Sequence, residues 1–220
     1  MNKKQVEIIL SKLKPIEKPK LDYEQYSTPT YLAAEIVNLA WLNKDVENKK
    51  IADLGCGNGI LGLACLLFKA KKVYFVDKDK DVLKIAKENF EWLKKNFKIG
   101  EARFFVKDVN DFNLKVDTVI QNPPFGLKSE NKDLEFLQKA LEIAKRIYSL
   151  HGYSEKSRKF LKNFVEARNG KILLVKKYEF QIPRTFKFHE KTKYKYFVDL
   201  YVIEKTKDFY FEDTIKKHGT

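Results

Sequence analysis

The chain has 220 residues, of which 44% are hydrophobic and 34% charged, enough for one globular domain with a sizeable core. Its formal net charge of +14 favours an anionic partner such as nucleic acid, although lysines scattered over solvated faces would give the same total. Two cysteines are too few for a disulfide framework or a four-thiolate zinc site, and we expect two buried thiols. No apolar run is long enough to span a membrane and the N-terminus lacks a signal peptide's apolar core, so we expect a cytoplasmic protein.

The first 50 residues predict two helices. Apolar residues recur at helical spacing over residues 1–14 and indicate a short amphipathic helix. A second helix is predicted to end near Trp41, with Thr28 or Thr30 as its N-terminal cap. The preceding segment, residues 25–29, is either a capping loop or a flap over a bound ligand.

A glycine-rich turn follows the first predicted strand, which ends at Asp53. The turn contains Gly55, Gly57 and Gly59, and a helix is predicted to begin at Ile60. Glycines let the backbone approach a ligand closely, and a helix N-terminus offers free N–H groups. The next predicted strand ends in a carboxylate, Asp77, which is placed to hold ribose hydroxyls.

Two cofactors are compatible with this turn. The spacing Gly57-x-Gly59-x-x-Gly62 satisfies the dinucleotide fingerprint, which is a weak signal alone. S-adenosylmethionine carries an ammonium group and a sulfonium. A carboxylate just before the turn, Asp53, fits these positive charges better than it fits a dinucleotide. A tight strand–helix turn without a ligand is the structural alternative.

Strands and helices alternate from residue 50 to residue 125, which predicts a parallel sheet with right-handed crossovers. A helix over residues 79–97 precedes a third strand, 102–106, and a fourth strand covers 116–120. The ends of the four strands then bring Gly55, Asp77, Asp108 and Asn122 to one edge. Asp108 is placed to bind the amine of an adenine or merely to cap a turn.

The run Asn122-Pro123-Pro124-Phe125 follows the fourth strand. Two prolines stiffen this turn and restrict the residues before them. The Asn122 amide oxygen and the Pro123 carbonyl can each accept one N–H of a planar group, on which Phe125 can stack. A tight turn with a satisfied polar cap is the structural alternative.

The C-terminal part predicts a long helix over residues 131–149, ended by residues 149–152, and another helix over 154–168. A fifth strand is predicted over 171–176 and a late, antiparallel strand over 196–203. The segment between these strands interleaves basic and aromatic residues, which suits either an RNA surface or a solvated hairpin. The candidate RNA-binding residues are Lys18, Lys20, Arg184, Lys187, Phe188, His189 and Lys191.

The run from Asp53 to Gly59 resembles motif I of the class I S-adenosylmethionine-dependent methyltransferases, and Asn122-Pro123-Pro124-Phe125 resembles motif IV of those that methylate exocyclic or amide nitrogens. With further matches at residues 17–26, 148–151 and 186–189, the chain resembles the methyltransferase-like protein five family. The resemblance implies a Rossmann-like α/β fold with a central, mostly parallel seven-stranded sheet. It also implies methylation of adenine N6 in small-subunit ribosomal RNA.

The resemblance covers roughly residues 5–204, and we expect one methyltransferase domain over 1–205 with a tail of unknown role over 206–220. It implies that residues 122–125 bind the target base. The residues expected to bind the cofactor are Gln25, Thr28, Asp53, Gly55, Gly57, Asn58, Gly59, Ile60, Asp77, Asp108 and Asn122. Asn58 departs from the small residue that the family usually has at this position.

The eukaryotic members of this family need a small zinc-containing activator protein that adds a strand to the enzyme's sheet. In the usual strand order the third strand, 102–106, is an edge, and its apolar residues would suit such an addition. Two rival functions remain. One is a protein glutamine N5-methyltransferase, which uses the same turn on another planar amide. The other is a non-catalytic RNA-binding or ribosome-assembly protein.

Overall fold

The computed structural model of the chain describes residues 1–17, 20, 27–124, 132–182 and 194–206. These residues form one seven-stranded sheet with helices packed on both faces. The strands are β1 (Lys50–Leu54), β2 (Lys72–Asp77), β3 (Glu101–Val106), β4 (Val116–Gln121), β5 (Ala144–Gly152), β6 (Gly170–Ile182) and β7 (Tyr194–Lys205). The helices are α1 (Lys3–Leu10), α2 (Thr30–Leu42), α3 (Ile60–Leu67), α4 (Lys80–Asn96), α5 (Lys132–Ile143) and α6 (Glu155–Glu166).

The strand order is β3-β2-β1-β4-β5-β7-β6. Neighbours from β3 to β5 pair in parallel, whereas β7 runs antiparallel to both β5 and β6. The order reverses between β1 and β4, and ligands of open α/β sheets bind outside the strand ends at such a reversal. The predicted Rossmann-like methyltransferase fold is therefore confirmed.

Two apolar clusters cover the two faces of the sheet. Helices α1 to α4 supply one cluster and α5 and α6 the other. Helix α3 is buried along its whole length, because it lies between the sheet and neighbouring helices. The buried strand β1 has four consecutive buried residues after Lys50, as a parallel strand covered on both faces requires. Among the described residues, no helix is both long and apolar enough to cross a bilayer.

The predicted helix over residues 131–149 is wrong beyond Ile143. Helix α5 ends at Ile143, and the following residues form β5 between β4 and β7. Ala144 and Ile147 of β5 continue the helical spacing of the apolar residues of α5, so the pattern did not mark the change from helix to strand. Residues 149–152, expected to end the helix, instead pair with β7. The strand predicted as the fifth is accordingly the sixth.

The hairpin of β6 and β7 is longer than predicted. The two strands pair from Gly170↔Lys205 to Ile182↔Tyr194, whereas the last pair between β5 and β7 is Gly152↔Val198. Four residue pairs therefore extend beyond the end of β5, a projection of about 13 Å.

The expected cap of α2 is also corrected. Pro29 occupies the N-cap position, and the cap makes no side-chain hydrogen bond. The hydroxyl of Thr28 instead accepts a hydrogen bond from Asn122.

Candidate active site

A cleft lies at the carboxyl ends of β1, β2, β3 and β4, on the side of the sheet where the strand order reverses. Parallel strands with short connections bring their ends to one edge, so residues far apart in sequence line one space. The predicted site residues that line the cleft are Thr28, Asp53, Gly55, Gly57, Asn58, Ile60, Asp77, Asp108, Asn122 and Pro124.

The glycine turn shapes the floor of the cleft. Gly55, Gly57 and Gly59 have φ angles of 65°, 54° and 85°, which side-chain-bearing residues rarely adopt. At Gly55, an added Cβ would also lie 2.8 Å from Cε1 of Phe136. Gly59 is the N-cap of α3, so the turn leads directly into a helix N-terminus.

The Asp53 carboxylate is almost fully buried beneath this turn. Its Oδ2 accepts a hydrogen bond of 2.8 Å from the backbone N–H of Gly62. Burial, with a smaller contribution from the Asp77 carboxylate, raises the pKa of Asp53 to about 7. A cation in the cleft would offset this cost, because a nearby positive charge favours the ionised carboxyl group.

Asp77 stands at the end of β2 and is largely buried. Its Oδ2 accepts from the Gly57 N–H and its Oδ1 from the Asp79 N–H, both at 2.9 Å. Burial raises the pKa of this carboxyl group as well. Each carboxylate oxygen has a second lone pair, so Asp77 can still accept hydroxyl donors. Asp108 caps a 3-10 turn through the Asn110 N–H at 3.0 Å and also lines the cleft.

The N-terminal segment forms a wall of the cleft that the sequence did not indicate. Asn89 of α4 donates to the carbonyls of Lys14 and Asn58 at 3.1 Å and accepts from the Lys14 N–H at 2.8 Å. Asn58 also donates to the Lys14 carbonyl at 3.1 Å. These bonds hold Ile16 beside Gly57, where it lines the cleft. Asn58 therefore positions the N-terminal segment.

Asn122 follows β4, and its amide joins two distant parts of the chain. Its Nδ2 donates to the Thr28 hydroxyl oxygen at 3.0 Å, across 94 sequence positions. Its Oδ1 is buried and accepts no hydrogen bond from any described residue. A buried acceptor without a partner costs free energy unless a ligand supplies a donor. The bond to Thr28 thus leaves the oxygen available for a donor in the cleft.

Behind Asn122 lies a buried chain of hydrogen bonds that sequence reasoning missed. Gln121 Nε2 donates to Ser149 Oγ at 2.9 Å, Ser149 Oγ lies 2.8 Å from His151 Nε2, and His151 Nδ1 lies 3.0 Å from Asp133 Oδ2. A carboxylate only accepts, so Nδ1 donates to Asp133 and Nε2 accepts the serine proton. The order matches a serine-hydrolase triad, but Ser149 is fully buried and cannot meet a substrate. These hydrogen bonds instead join β4, β5 and α5 beside Asn122.

Several predicted residues lie outside the described part of the chain. These are Gln25, Phe125, Lys18, Arg184, Lys187, Phe188, His189 and Lys191. Lys20 is described, and its ammonium group forms ion pairs with Asp79 at 2.8 Å and Asp81 at 3.0 Å beside the cleft. Cys56 and Cys65 are buried as predicted, and burial raises the pKa of both thiols.

Known proteins match this chain over most of its length. The family model for the methyltransferase small domain matches residues 34–153. The rRNA N(6)-adenosine-methyltransferase METTL5 of Danio rerio is 32% identical over 198 residues, covering 87% of this chain and 93% of the relative. The MJ0284 protein of Methanocaldococcus jannaschii is 36% identical over 214 residues, covering 93% and 95%. The crystal structure of PH1948 from Pyrococcus horikoshii is 38% identical, with a TM-score of 0.86 and coverage of 94% and 99%.

The chain belongs to the METTL5 family of methyltransferases. The resemblance drawn from the motifs at Asp53 and Asn122 is thereby confirmed, and with it the cofactor S-adenosylmethionine.

The cleft of this METTL5-family chain fits that cofactor on its own geometry. Asp53 is a buried carboxylate with a raised pKa, which suits a cationic ligand. Asp77 retains acceptor capacity for ribose hydroxyls, and Asp108 stands further along the same edge. The positive φ angles of the turn favour glycine, and these glycines have no side chain that could block the ligand.

Proposed function

We propose that this chain methylates the exocyclic N6 of adenine in small-subunit ribosomal RNA, in the cytoplasm, with S-adenosylmethionine as the methyl donor. The observation that carries the proposal is the buried Asn122 Oδ1, which accepts no hydrogen bond from the described residues and lies at the edge of the cofactor cleft. An exocyclic amine supplies such a donor. The relatives from Danio rerio, Drosophila melanogaster and Caenorhabditis elegans are named rRNA N(6)-adenosine-methyltransferases, which supports this substrate.

In the proposed reaction, Asn122 and its neighbours orient the amine. Asn122 Oδ1 and the Pro123 carbonyl each accept one N–H of N6, which turns the nitrogen lone pair toward the methyl group. Phe125 is proposed to stack on the adenine ring. The target base must leave its stack, at a cost of a few kcal/mol that single-stranded or loop RNA lowers.

S-adenosylmethionine, when bound, would supply an electrophilic methyl group, whose bond to the sulfonium would break as the bond to N6 forms, leaving a neutral thioether. Positive charge would then grow on N6. The two carbonyl groups would stabilise this charge, because the negative ends of their dipoles already face the amine. No strong base is required before transfer, since the proton can leave to solvent afterwards. Positioning and electrostatics supply most of the rate enhancement.

Transfer of labelled methyl groups from S-adenosylmethionine to unmodified small-subunit ribosomal RNA, followed by nucleoside digestion, tests the proposal. We expect label in N6-methyladenosine, with a loss of at least ~10²-fold in the Asn122→Ala variant, the scale of removing one oriented polar group. Full turnover by Asn122→Ala would refute the role of this residue.

Two variants of Thr28 separate orientation of Asn122 from simple packing. Thr28→Ser keeps the hydroxyl that accepts from Asn122, and we expect near-native turnover. Thr28→Val keeps the shape but removes the acceptor, and we expect a loss of about tenfold, the scale of one hydrogen bond. Equal turnover in both variants would contradict this role of Thr28.

The rival functions are outcomes of the same assay. Label on a release-factor glutamine, and none on RNA, would indicate the protein methyltransferase. Absence of S-adenosylmethionine binding would indicate the non-catalytic protein.

A heterodimer with a small zinc-containing activator protein, formed through β3, is a second part of the proposal. Among the described strands, β3 is an edge of the sheet, as expected. Phe104 stacks on Phe75 with centroids 4.9 Å apart, and Phe105 contacts the ring of Phe112 at 5.5 Å. The rings are thus partly sheltered, whereas Val106 is 57% exposed. An added strand would cover Val106 and the free backbone groups of β3.

A further inference from the structure

A cluster of rings and cations lies where β6 and β7 pass the end of β5. The Lys177 ammonium nitrogen lies 3.5 Å from the ring centroid of Tyr153 and 4.3 Å from that of Phe197. The Arg158 guanidinium lies 4.8 Å from the Tyr153 centroid. Ring faces attract cations, and two rings hold the lysine more firmly than one. The ammonium group of Lys177 is therefore positioned by these two rings.

Two carboxylates near this cluster, those of Asp199 and Glu155, bond to other groups. Both oxygens of the buried Asp199, opposite Lys177 on β7, accept from Arg158 at 2.8 Å. Glu155 accepts from the Tyr153 hydroxyl at 2.8 Å. In the described part of the chain, Lys177 forms no ion pair, whereas its neighbour Lys176 pairs with Glu35 at 2.9 Å. Lys177 thus presents an exposed positive charge in a fixed place.

The position of Lys177 relates it to the methyl-transfer site. One row of paired residues crosses the sheet from β4 through β5 and β7 to β6. It consists of Gln121, Ser149, Tyr201 and Val175. Lys177 is two residues beyond this row on the same sheet face. It therefore lies about 7 Å further toward the cleft edge and about 14 Å across the sheet from Gln121. Asn122 follows Gln121 directly.

We propose that Lys177, held by Tyr153 and Phe197, binds a backbone phosphate of the RNA strand whose target adenine lies at Asn122. The proposal rests on the proposed RNA substrate and adds a contact outside the cleft. A phosphate fits because it is an anion carried at regular intervals along the strand, and because the ammonium group has three donors and pairs with no carboxylate in the described part of the chain. Lys177 lies two residues before the part of β6 that projects beyond the end of β5, and a strand leaving the cleft can reach it there.

Binding of a fluorescently labelled single-stranded RNA, measured by anisotropy over a series of KCl concentrations, tests this site. We expect Lys177→Gln to weaken binding about tenfold, the scale of one charge-assisted contact. The slope of log affinity against log salt should become shallower by about 0.7, the contribution of one phosphate on a single strand. Lys177→Arg keeps the charge over both rings and should restore affinity and slope.

Lys171→Gln is the matched control. Lys171 is exposed on the same strand but lies at its opposite end, away from the cleft. We expect this variant to bind RNA like the wild type, and all variants to bind S-adenosylmethionine equally. Equal weakening by Lys171→Gln, or an unchanged salt slope in Lys177→Gln, would overturn the phosphate site. A wild-type chain that neither binds nor methylates RNA would instead contradict the proposed function.

Discussion

Burial raises the pKa of the Asp53 carboxyl group to about 7 from an ordinary value of 3.8. The folded state therefore binds this proton more tightly than the unfolded state. It follows that the contribution of Asp53 to the free energy of unfolding decreases as the pH rises from 3.8 to about 7, and remains unfavourable above that. A cation bound in the cleft would favour the ionised carboxyl group and would offset this loss of stability.

The Asp53→Asn variant separates stability from cofactor binding. An asparagine oxygen can still accept from the Gly62 N–H, so the turn is preserved. At pH 8 we expect a higher midpoint of thermal unfolding than in the wild type, and at pH 5 a smaller difference. Affinity for S-adenosylmethionine, measured by calorimetric titration, should fall about tenfold or more because a charged partner is lost. Lower stability of the variant at pH 8 would contradict this account.

At the scale of elements, the bonds through Gln121, Ser149, His151 and Asp133 join β4, β5 and the start of α5. These elements flank the turn that carries Asn122. In this series of hydrogen bonds, Ser149 and His151 each act as both donor and acceptor. Removal of one member therefore leaves a buried polar group of its neighbour without a partner.

Replacement of Ser149 by alanine leaves the Gln121 donor without a partner. We expect the free energy of unfolding to fall by ~1–3 kcal/mol, the cost of an unsatisfied buried group. Tyr201→Phe is the matched control, because the buried Tyr201 hydroxyl has no hydrogen-bond partner among the described residues and its ring contacts His151. Denaturant titration of both variants checks the difference, and an equal loss in Tyr201→Phe would argue against the network.

At the scale of the whole molecule, β3 decides whether the proposed partner can bind. The N–H groups of Glu101 and Lys107 donate toward β2, to Lys71 and Asp77. Because alternate residues of a parallel strand face the same neighbour, the N–H of Val106 faces outward. A strand added by a partner would use that donor.

Val106→Pro removes this outward donor while leaving the bonds to β2 intact. We expect loss of the heterodimer with the activator protein in size-exclusion chromatography, together with an unfolding midpoint close to that of the wild type. Val106→Ala keeps the N–H and should retain the complex. Full methyl transfer by the isolated chain would show that no partner is needed.

The sequence by itself determined the α/β fold, the cleft edge and the residues that stand at the strand ends. Asp53, Asp77, Asp108 and Asn122 each follow an apolar run, and parallel strands bring such positions to one edge. The apolar pattern of each segment was sufficient here, because a residue reaches this edge when its own strand ends beside it. It failed for β5, because Ala144 and Ile147 continue the helical spacing of the apolar residues in the preceding helix α5.

Only the tertiary structure decided which side chains meet. The bond between Asn122 and Thr28 spans 94 positions, and the bonds from Asn89 to Lys14 span 75. The positioned charge of Lys177 likewise depends on Tyr153, which follows β5, and on Phe197 of β7. Such contacts depend on how helices and loops pack against the sheet, and the period of a single segment contains no information about that packing.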